Sequence, residues 1–216
     1  MLTQITSREW NPGLRNDAAL LGDVYDSMPK DPASAVPWYV RMLENPASPL
    51  ALPGAIDLFG HDCLHALLGR GLMSQDEAFV IGFTMGANPA CTRAQARLFA
   101  WCAQHLYRPP FRFDAIDCGV YHLAFAAARA MGCRPLDAVD YRAWLDRPLG
   151  ELRAALGIRP EQLARWYRRE AFLWPDTEVS RRLPGVRGAG QRETLNGFSA
   201  ERATPLADDV PTALVA

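Results

Sequence analysis

The 216-residue chain has almost no lysine, no paired-cysteine motif and no long apolar run, and each absence excludes a class of protein. Lys30 is the only lysine; 23 basic residues balance 24 acidic ones without a basic block, so we expect no nucleic-acid partner. The five cysteines include no CxxC pair, which argues against a disulfide framework or a zinc ribbon. No stretch approaches the ~20 apolar residues of a membrane span. The sequence predicts one soluble domain with reduced thiols, large enough to fold without a structural metal.

The first residues, MLTQITSREW, lack two kinds of targeting signal. They have neither the charged start and apolar run of a secretion signal nor the arginine-rich bias of a transit peptide. Together with the cysteine usage, this favours a cytoplasmic protein. Any contact with a membrane is then expected to be peripheral, on its inner face.

Helical periodicity runs through the chain as far as Trp174, and strand-like alternation and internal repeats are lacking. Ser74 with Glu77 predicts a capping box, Thr92 and Asp114 predict two further helix starts, and a Pro-Pro pair at 109–110 must stop the helix before it. The predicted helices cover 17–28, a short stretch near 36–44, 54–71, 75–87, the segments from Thr92 and from Asp114, 137–146, 148–156 and 160–172. We therefore expect an all-α, orthogonally packed bundle of about seven to eight helices.

The composition changes after Trp174. Over 180–216 glycine, proline and arginine are frequent and large apolar residues are few, too few to offset the entropy of ordering the segment. We expect a helical metal-site domain over 1–176 and a flexible C-terminal tail over 177–216. The tail is either a solvated terminus or a cover for a neighbouring subunit or a pocket mouth.

The second strong helix, GAIDLFGHDCLHALLGRG, carries several metal-ligating side chains. On a helix His61 and His65 lie about 40° apart, with Asp62 about 60° beyond His65 on the same side. Glu77 follows His65 after eleven residues, in the first turn of the next helix, and a tight hairpin would return it to the histidines. Two imidazoles and two carboxylates form a divalent-metal site that suits zinc, iron(II) or manganese.

The alternative is a hydrogen-bonded pair of surface histidines, which needs no metal. The neighbouring side chains favour the metal, because buried carboxylates and imidazoles require partners or a cation. The apolar neighbours of the three polar residues are Leu58, Phe59, Leu64, Leu67 and Leu68.

The pattern His61-Asp62-x-x-His65, then eleven residues, then Glu77 resembles the HDxxH-plus-Glu motif of the coenzyme Q biosynthesis protein 4 family in both order and spacing. The resemblance is strongest over 50–86, and Asp76 stands where the family usually has glycine. It implies that His61, Asp62, His65 and Glu77 hold a divalent metal, with zinc favoured and iron or manganese as alternatives.

The same resemblance implies a role in ubiquinone biosynthesis. The substrate would be a polyprenylated aromatic acid, and the reaction a metal-dependent carbon–carbon lyase step that removes the ring carboxylate at C1 and leaves a hydroxyl in its place. The implied partners are this prenyl lipid and other quinone-biosynthesis proteins, and we expect a homodimer. A non-catalytic prenyl-lipid-binding scaffold is the first alternative. A metal-dependent phosphohydrolase is the second, because His-Asp pairs also mark that superfamily.

The helix that follows Asp114 is apolar on almost every side, which is typical of a central buried helix and also of a channel for a prenyl chain. The candidate lipid-binding residues are Val120, Leu123 and Phe125. The candidates for hydrogen bonds to the metal ligands are Asp117, Tyr121 and His122, of which Tyr121 is also a candidate proton donor. No catalytic residue is assigned.

The helix over 160–172 sets an apolar stripe beside an arginine-rich one. This arrangement is typical of a helix with one packed and one solvated side, and it also suits a helix that rests on a membrane. A subunit interface is a further alternative, because aromatic residues are enriched there. The aromatic residues concerned are Trp166, Tyr167, Phe172 and Trp174.

Overall fold

A computed structural model of the chain describes residues 6–29, 43 and 46–183. The helices are α1 (Leu21–Asp26), α2 (Leu58–Leu68), α3 (Ser74–Ala87), α4 (Arg93–His105), α5 (Ala115–Met131), a 3-10 helix (Tyr141–Trp144), α6 (Leu149–Leu156), α7 (Pro160–Leu173) and α8 (Glu178–Arg182). Within these residues there is no β-strand, which confirms the predicted all-α fold. The short helix expected near 36–44 lies outside the described residues except for residue 43.

The pair formed by α3 and α5 is the centre of the bundle, and its closest approach lies at two glycines of α3. A Cβ atom at Gly82 would collide with the carbonyl oxygen of Tyr121, and one at Gly86 would lie 2.5 Å from the carbonyl oxygen of Phe125. Residues four apart share a helix face, so the two glycines form one continuous contact surface. The backbones of α3 and α5 therefore touch directly, and α5 is a central helix of the core.

Two of the predicted helix starts are confirmed. At α4 the Thr92 hydroxyl accepts from the backbone N–H of Gln95 at 3.2 Å, and the Gln95 side chain accepts from the N–H of Thr92 at 2.8 Å. At α5 Asp114 and Asp117 form the same reciprocal pair. These contacts satisfy N–H groups that have no partner within the helix.

The capping box predicted between Ser74 and Glu77 is wrong by one residue. Helix α3 begins at Ser74, so Met73 is its N-cap, and the carboxylate of Asp76 accepts from the N–H of Met73 at 3.3 Å. The Ser74 hydroxyl instead donates to Asp117 at 2.6 Å. The capping role thus falls to Asp76 rather than to Glu77.

The five cysteines form no disulfide, in agreement with the predicted reduced thiols, and all five are buried. Burial raises the pKa of the Cys118 and Cys133 thiols to about 11. No helix in the described part of the chain has the length and apolar character needed to cross a bilayer.

The structured region extends beyond the predicted boundary at residue 176. Thr177 caps α8 by accepting from the N–H of Ser180 at 3.1 Å, and Val179 and Leu183 are buried. Two apolar residues four positions apart give too weak a pattern to predict a helix of five residues. The rest of the expected tail, 184–216, lies outside the described residues.

Helix α7 has the packed and solvated sides expected of an ordinary amphipathic helix. Leu163 and Tyr167 are fully buried, whereas Arg165, Arg168 and Arg169 are exposed. Of the other aromatic residues, Trp166 and Trp174 are half-buried and Phe172 is 82% exposed. The contribution of α7 to a membrane or subunit contact stays a prediction.

Candidate metal centre

Helix α2 presents its two histidines one turn apart. The helix is fixed at its start by Asp57, whose carboxylate accepts from the N–H of Gly60 at 2.7 Å. It ends at Gly69, whose φ of 67° lies in the left-handed region that favours glycine. The imidazole centroids of His61 and His65 are 4.9 Å apart, so the two rings face the same side of the helix.

The turn at 69–71 orients His65. Its Nδ1 lies 2.7 Å from the carbonyl oxygen of Gly71. A carbonyl oxygen can only accept, so Nδ1 carries a proton and donates it. In a neutral imidazole the other nitrogen, Nε2, is then left with its lone pair, which is the tautomer that binds a metal through Nε2.

Glu77, in the first turn of α3, meets both histidines, as predicted from its spacing. Its Oε2 lies 2.9 Å from Nε2 of His61, its Oε1 lies 3.3 Å from Nε2 of His65, and the two Nε2 atoms are 3.1 Å apart. Ligand atoms bound at about 2.1 Å to one tetrahedral zinc lie about 3.4 Å from each other. The three side chains therefore converge closely enough for one divalent ion, with each histidine facing a different oxygen of Glu77.

The cluster lies at the edge of the interior. The side chain of His65 is 1% exposed, that of His61 18% and that of Glu77 33%, so the donor set opens toward solvent on the side of Glu77. Burial raises the pKa of the Glu77 carboxyl, but the histidines oppose this through their charge and hydrogen bonds and hold it well below its usual range. Glu77 is thus an anionic donor at neutral pH.

Asp62, the fourth predicted ligand, is not a member of this cluster. The mutually close ligand atoms belong to His61, His65 and Glu77, all within 4.8 Å of one another. Asp62 is half-buried on α2. Its role as a ligand stays a prediction.

Two of the three candidates for supporting hydrogen bonds, Asp117 and Tyr121, make contacts outside the metal cluster. Asp117 binds the Ser74 hydroxyl and the start of α5. The Tyr121 hydroxyl donates to Sδ of Met85 at 3.0 Å, and its ring stacks on Phe99. Burial, reinforced by Arg97, lowers the pKa of His122.

The candidate lipid-binding residues differ in exposure. Val120 is fully buried in the core, Leu123 is half-buried, and Phe125 is 8% exposed beneath the guanidinium of Arg129. The close packing of α3 on α5 occupies the side of α5 that carries the Tyr121 and Phe125 carbonyl groups. A channel for a prenyl chain along α5 stays a prediction.

Sequence reasoning missed a buried polar network around the turn at 69–71. The Arg70 guanidinium, fully buried, forms two hydrogen bonds to Glu170 of α7, at 3.0 and 2.9 Å, and an ion pair with Asp76 at 3.0 Å. Gln75 joins the network by donating to Glu170 at 2.7 Å. Glu170 follows Arg70 by 100 positions, so no local pattern in the sequence indicates the pairing.

Comparison of the chain with protein-family models, with curated proteins and with solved structures gives no match. The interpretation of the site therefore depends on its geometry and on the motif.

Proposed function

We propose that the protein binds one divalent metal ion through His61, His65 and Glu77, and that it uses this centre in quinone biosynthesis on a polyprenylated aromatic acid. The observation that carries the proposal is the convergence of three side chains from two helices. Oε2 of Glu77 lies 2.9 Å from Nε2 of His61, its Oε1 lies 3.3 Å from Nε2 of His65, and the two Nε2 atoms are 3.1 Å apart. The substrate class follows from the resemblance of the His61-Asp62-x-x-His65…Glu77 motif to the coenzyme Q biosynthesis protein 4 family.

The donor set favours a metal that takes part in chemistry. Two imidazoles and one carboxylate are three protein ligands, which in zinc enzymes leave a fourth position for water or substrate. The partial exposure of Glu77 leaves room for a further group beside it. Zinc is the favoured ion, with iron and manganese as alternatives. Asp62 stays a proposed fourth ligand; with it bound, water or substrate takes a fifth position, to which catalytic zinc sites can expand.

In the proposed reaction the centre supplies Lewis acidity for the charge that develops at the ring as carbon dioxide leaves. Glu77 and the two histidines hold this acid in place, and the hydrogen bond from His65 Nδ1 to Gly71 fixes the orientation of the ring. Replacing the carboxylate by hydroxyl is a two-electron oxidation, so the reaction also consumes an oxidant such as dioxygen.

The proposed setting is a homodimer that contacts the membrane and other quinone-biosynthesis proteins. Two neighbouring residues at the end of α7 support this setting, because Phe172 is 82% and Leu173 47% exposed. Exposed large apolar side chains that adjoin one another are common where a protein meets a partner or a lipid surface.

Two outcomes separate catalysis from the scaffold alternative. In a host that lacks the step, expression of the protein is expected to convert the carboxylated prenyl-phenol into the hydroxylated product, as detected by mass spectrometry. Glu77→Ala is expected to abolish this conversion. Glu161→Ala, which removes an exposed carboxylate from the first turn of α7, serves as the matched control. Full conversion by Glu77→Ala would favour the scaffold.

The phosphohydrolase alternative gains no support from the remaining histidines. That superfamily uses additional His and Asp ligands on distant helices. His105 is exposed, with its Nδ1 2.9 Å from the carbonyl oxygen of Trp101, and His122 is half-buried on α5. Neither belongs to the cluster of close ligand atoms.

A further inference from the structure

Residues of the turn at 69–71 contact both the helix that carries the histidines and the helix that carries Glu77. On the side of α2, the N–H of Arg70 donates to the carbonyl oxygen of His65 at 3.0 Å, and the carbonyl oxygen of Gly71 accepts from the His65 ring. On the side of α3, the Arg70 guanidinium binds Asp76, the residue before Glu77, and also contacts the carbonyl oxygen of Gln75 at 3.3 Å. Arg70 is therefore connected to both halves of the metal centre.

The direct contact between α2 and α3 is small. Helix α3 packs far more extensively on α5 than on α2. The first turn of α3 lies close against the turn at 69–71, since a Cβ atom at Gly71 would lie 2.9 Å from Oδ2 of Asp76. Arg70 thus joins α2 and α3 at the place where Glu77 meets the histidines.

The third contact of Arg70 ties this junction to α7. Its two terminal nitrogens bind the two carboxylate oxygens of Glu170, and its guanidinium lies 4.5 Å from the ring centroid of Phe79 and 5.1 Å from that of Tyr167. Planar guanidinium geometry suits both the paired hydrogen bonds and the stacking, and an ammonium group cannot reproduce them. One side chain thus joins the turn, α3 and α7.

Stability alone does not account for such a network. Arg70 and Glu170 are fully buried and Asp76 is 1% exposed. Removing charges from water is costly, and apolar side chains of similar size often give an equally stable or more stable protein. The best-attested use of such buried charges is to specify one arrangement of the elements they join.

We propose that Arg70 is a positioning residue for the metal centre, whose guanidinium holds α3 in the register that sets Glu77 against His61 and His65. The inference depends on the proposed metal binding. It assigns to Arg70, Asp76 and Glu170 an effect on metal affinity that is separate from their effect on folding.

Arg153 provides a matched control. It is also buried, at 1% exposure, and it also lies at the end of α2, where its Nε donates to the carbonyl oxygen of Leu67 at 2.8 Å. Its carboxylate partner is Asp17, and among the described residues its side-chain hydrogen bonds go to the N-terminal segment and to α2 rather than to α3. Arg153→Lys therefore disturbs a comparable buried network without acting on Glu77.

The experiment measures zinc affinity by competition with a chromophoric chelator, the visible spectrum of the cobalt(II) form, and the melting temperature without metal. Arg70→Lys and Arg153→Lys are both expected to lower the melting temperature. Only Arg70→Lys is expected to weaken zinc binding, by about 10- to 100-fold, as for other outer partners of metal ligands, and to change the cobalt spectrum. Glu170→Gln, which keeps the side-chain size, is expected to weaken zinc binding several-fold. If Arg70→Lys does not fold, this variant tests whether the contacts of Arg70 affect zinc affinity.

The outcomes distinguish failure of the positioning role of Arg70 from failure of the proposed metal centre. Zinc affinity within twofold of wild type in Arg70→Lys, or in Glu170→Gln where only that variant folds, would overturn the positioning role and leave the metal centre standing. An equal loss in Arg153→Lys would overturn it too, because the effect would then reflect general destabilisation. Absence of zinc binding in the wild-type protein would overturn the metal centre itself.

Discussion

Oε2 of Glu77 lies 2.9 Å from Nε2 of His61, although sixteen positions separate the two residues in the sequence. The intervening chain completes α2, changes direction at Gly69 and begins α3 at Ser74, two residues before Asp76, whose carboxylate caps the helix. Asp76 accepts the N–H of Met73, and the next residue, Glu77, directs its carboxylate toward the histidines of α2. The cluster is thus a product of helix-end geometry.

The two glycines that end α2 and α5 allow a direct test of the packing around the turn. Gly69 and Gly132 have nearly equal φ values, 67° and 64°, but a Cβ at Gly69 would lie 2.5 Å from the carbonyl oxygen of Gly13, whereas one at Gly132 would meet nothing within 4 Å. Gly132→Ala is expected to cost about 1–2 kcal/mol for the left-handed conformation. Gly69→Ala is expected to cost about 1–3 kcal/mol more because of the collision.

The measurement for these glycines is urea unfolding of both variants in the presence of a chelator, which removes any contribution of metal binding. Equal free energies of unfolding for Gly69→Ala and Gly132→Ala would show that the contact between Gly69 and Gly13 does not constrain the turn.

Thiol labelling tests the burial of the cysteines. At pH 8 a thiol with a pKa of about 11, as for Cys118 and Cys133, is only about one part in a thousand thiolate, the reactive form. The native protein is expected to label slowly, with a rate that rises with pH because the thiolate fraction rises. In denaturant all five cysteines are expected to react rapidly. Rapid labelling of every thiol in the native protein would contradict the buried positions.

Two substitutions compare the contributions of Glu77 and Asp62 to zinc binding. Glu77 is already within 3.3 Å of both histidine nitrogens, whereas Asp62 is outside the cluster. Glu77→Gln is expected to reduce zinc affinity by more than the ~10- to 100-fold typical of losing an outer partner. Asp62→Asn is expected to have a smaller effect. A titration that gives the two variants equal affinities would identify Asp62 as a ligand of the same rank as Glu77.

Much of the fold could be predicted from local patterns. Periodicity and capping residues are local, so Thr92 and Asp114 correctly mark helix starts. The spacing of His61, His65 and Glu77 likewise predicts their convergence, since a helix, a short turn and a second helix allow few arrangements.

The buried charges could not be predicted in this way. Arg70 pairs with a residue 100 positions away, and Arg153 with one 136 positions away. A sequence pattern treats arginine as a solvated residue, because the partners that make its burial tolerable are known only once the helices pack. The capping role is predicted for Glu77 and belongs to Asp76 for the same reason. The sequence does not distinguish two neighbouring carboxylates, because only the packed structure shows that Arg70 contacts Asp76 and the histidines contact Glu77.

The metal content of the purified chain tests the central claim most directly. After reconstitution with zinc and removal of excess metal, the wild-type protein is expected to hold one ion per chain. His65→Ala is expected to lose it, and His105→Ala, which alters an exposed histidine outside the cluster, is expected to retain it. A wild-type chain without zinc, or a full complement of zinc in His65→Ala, would contradict the account.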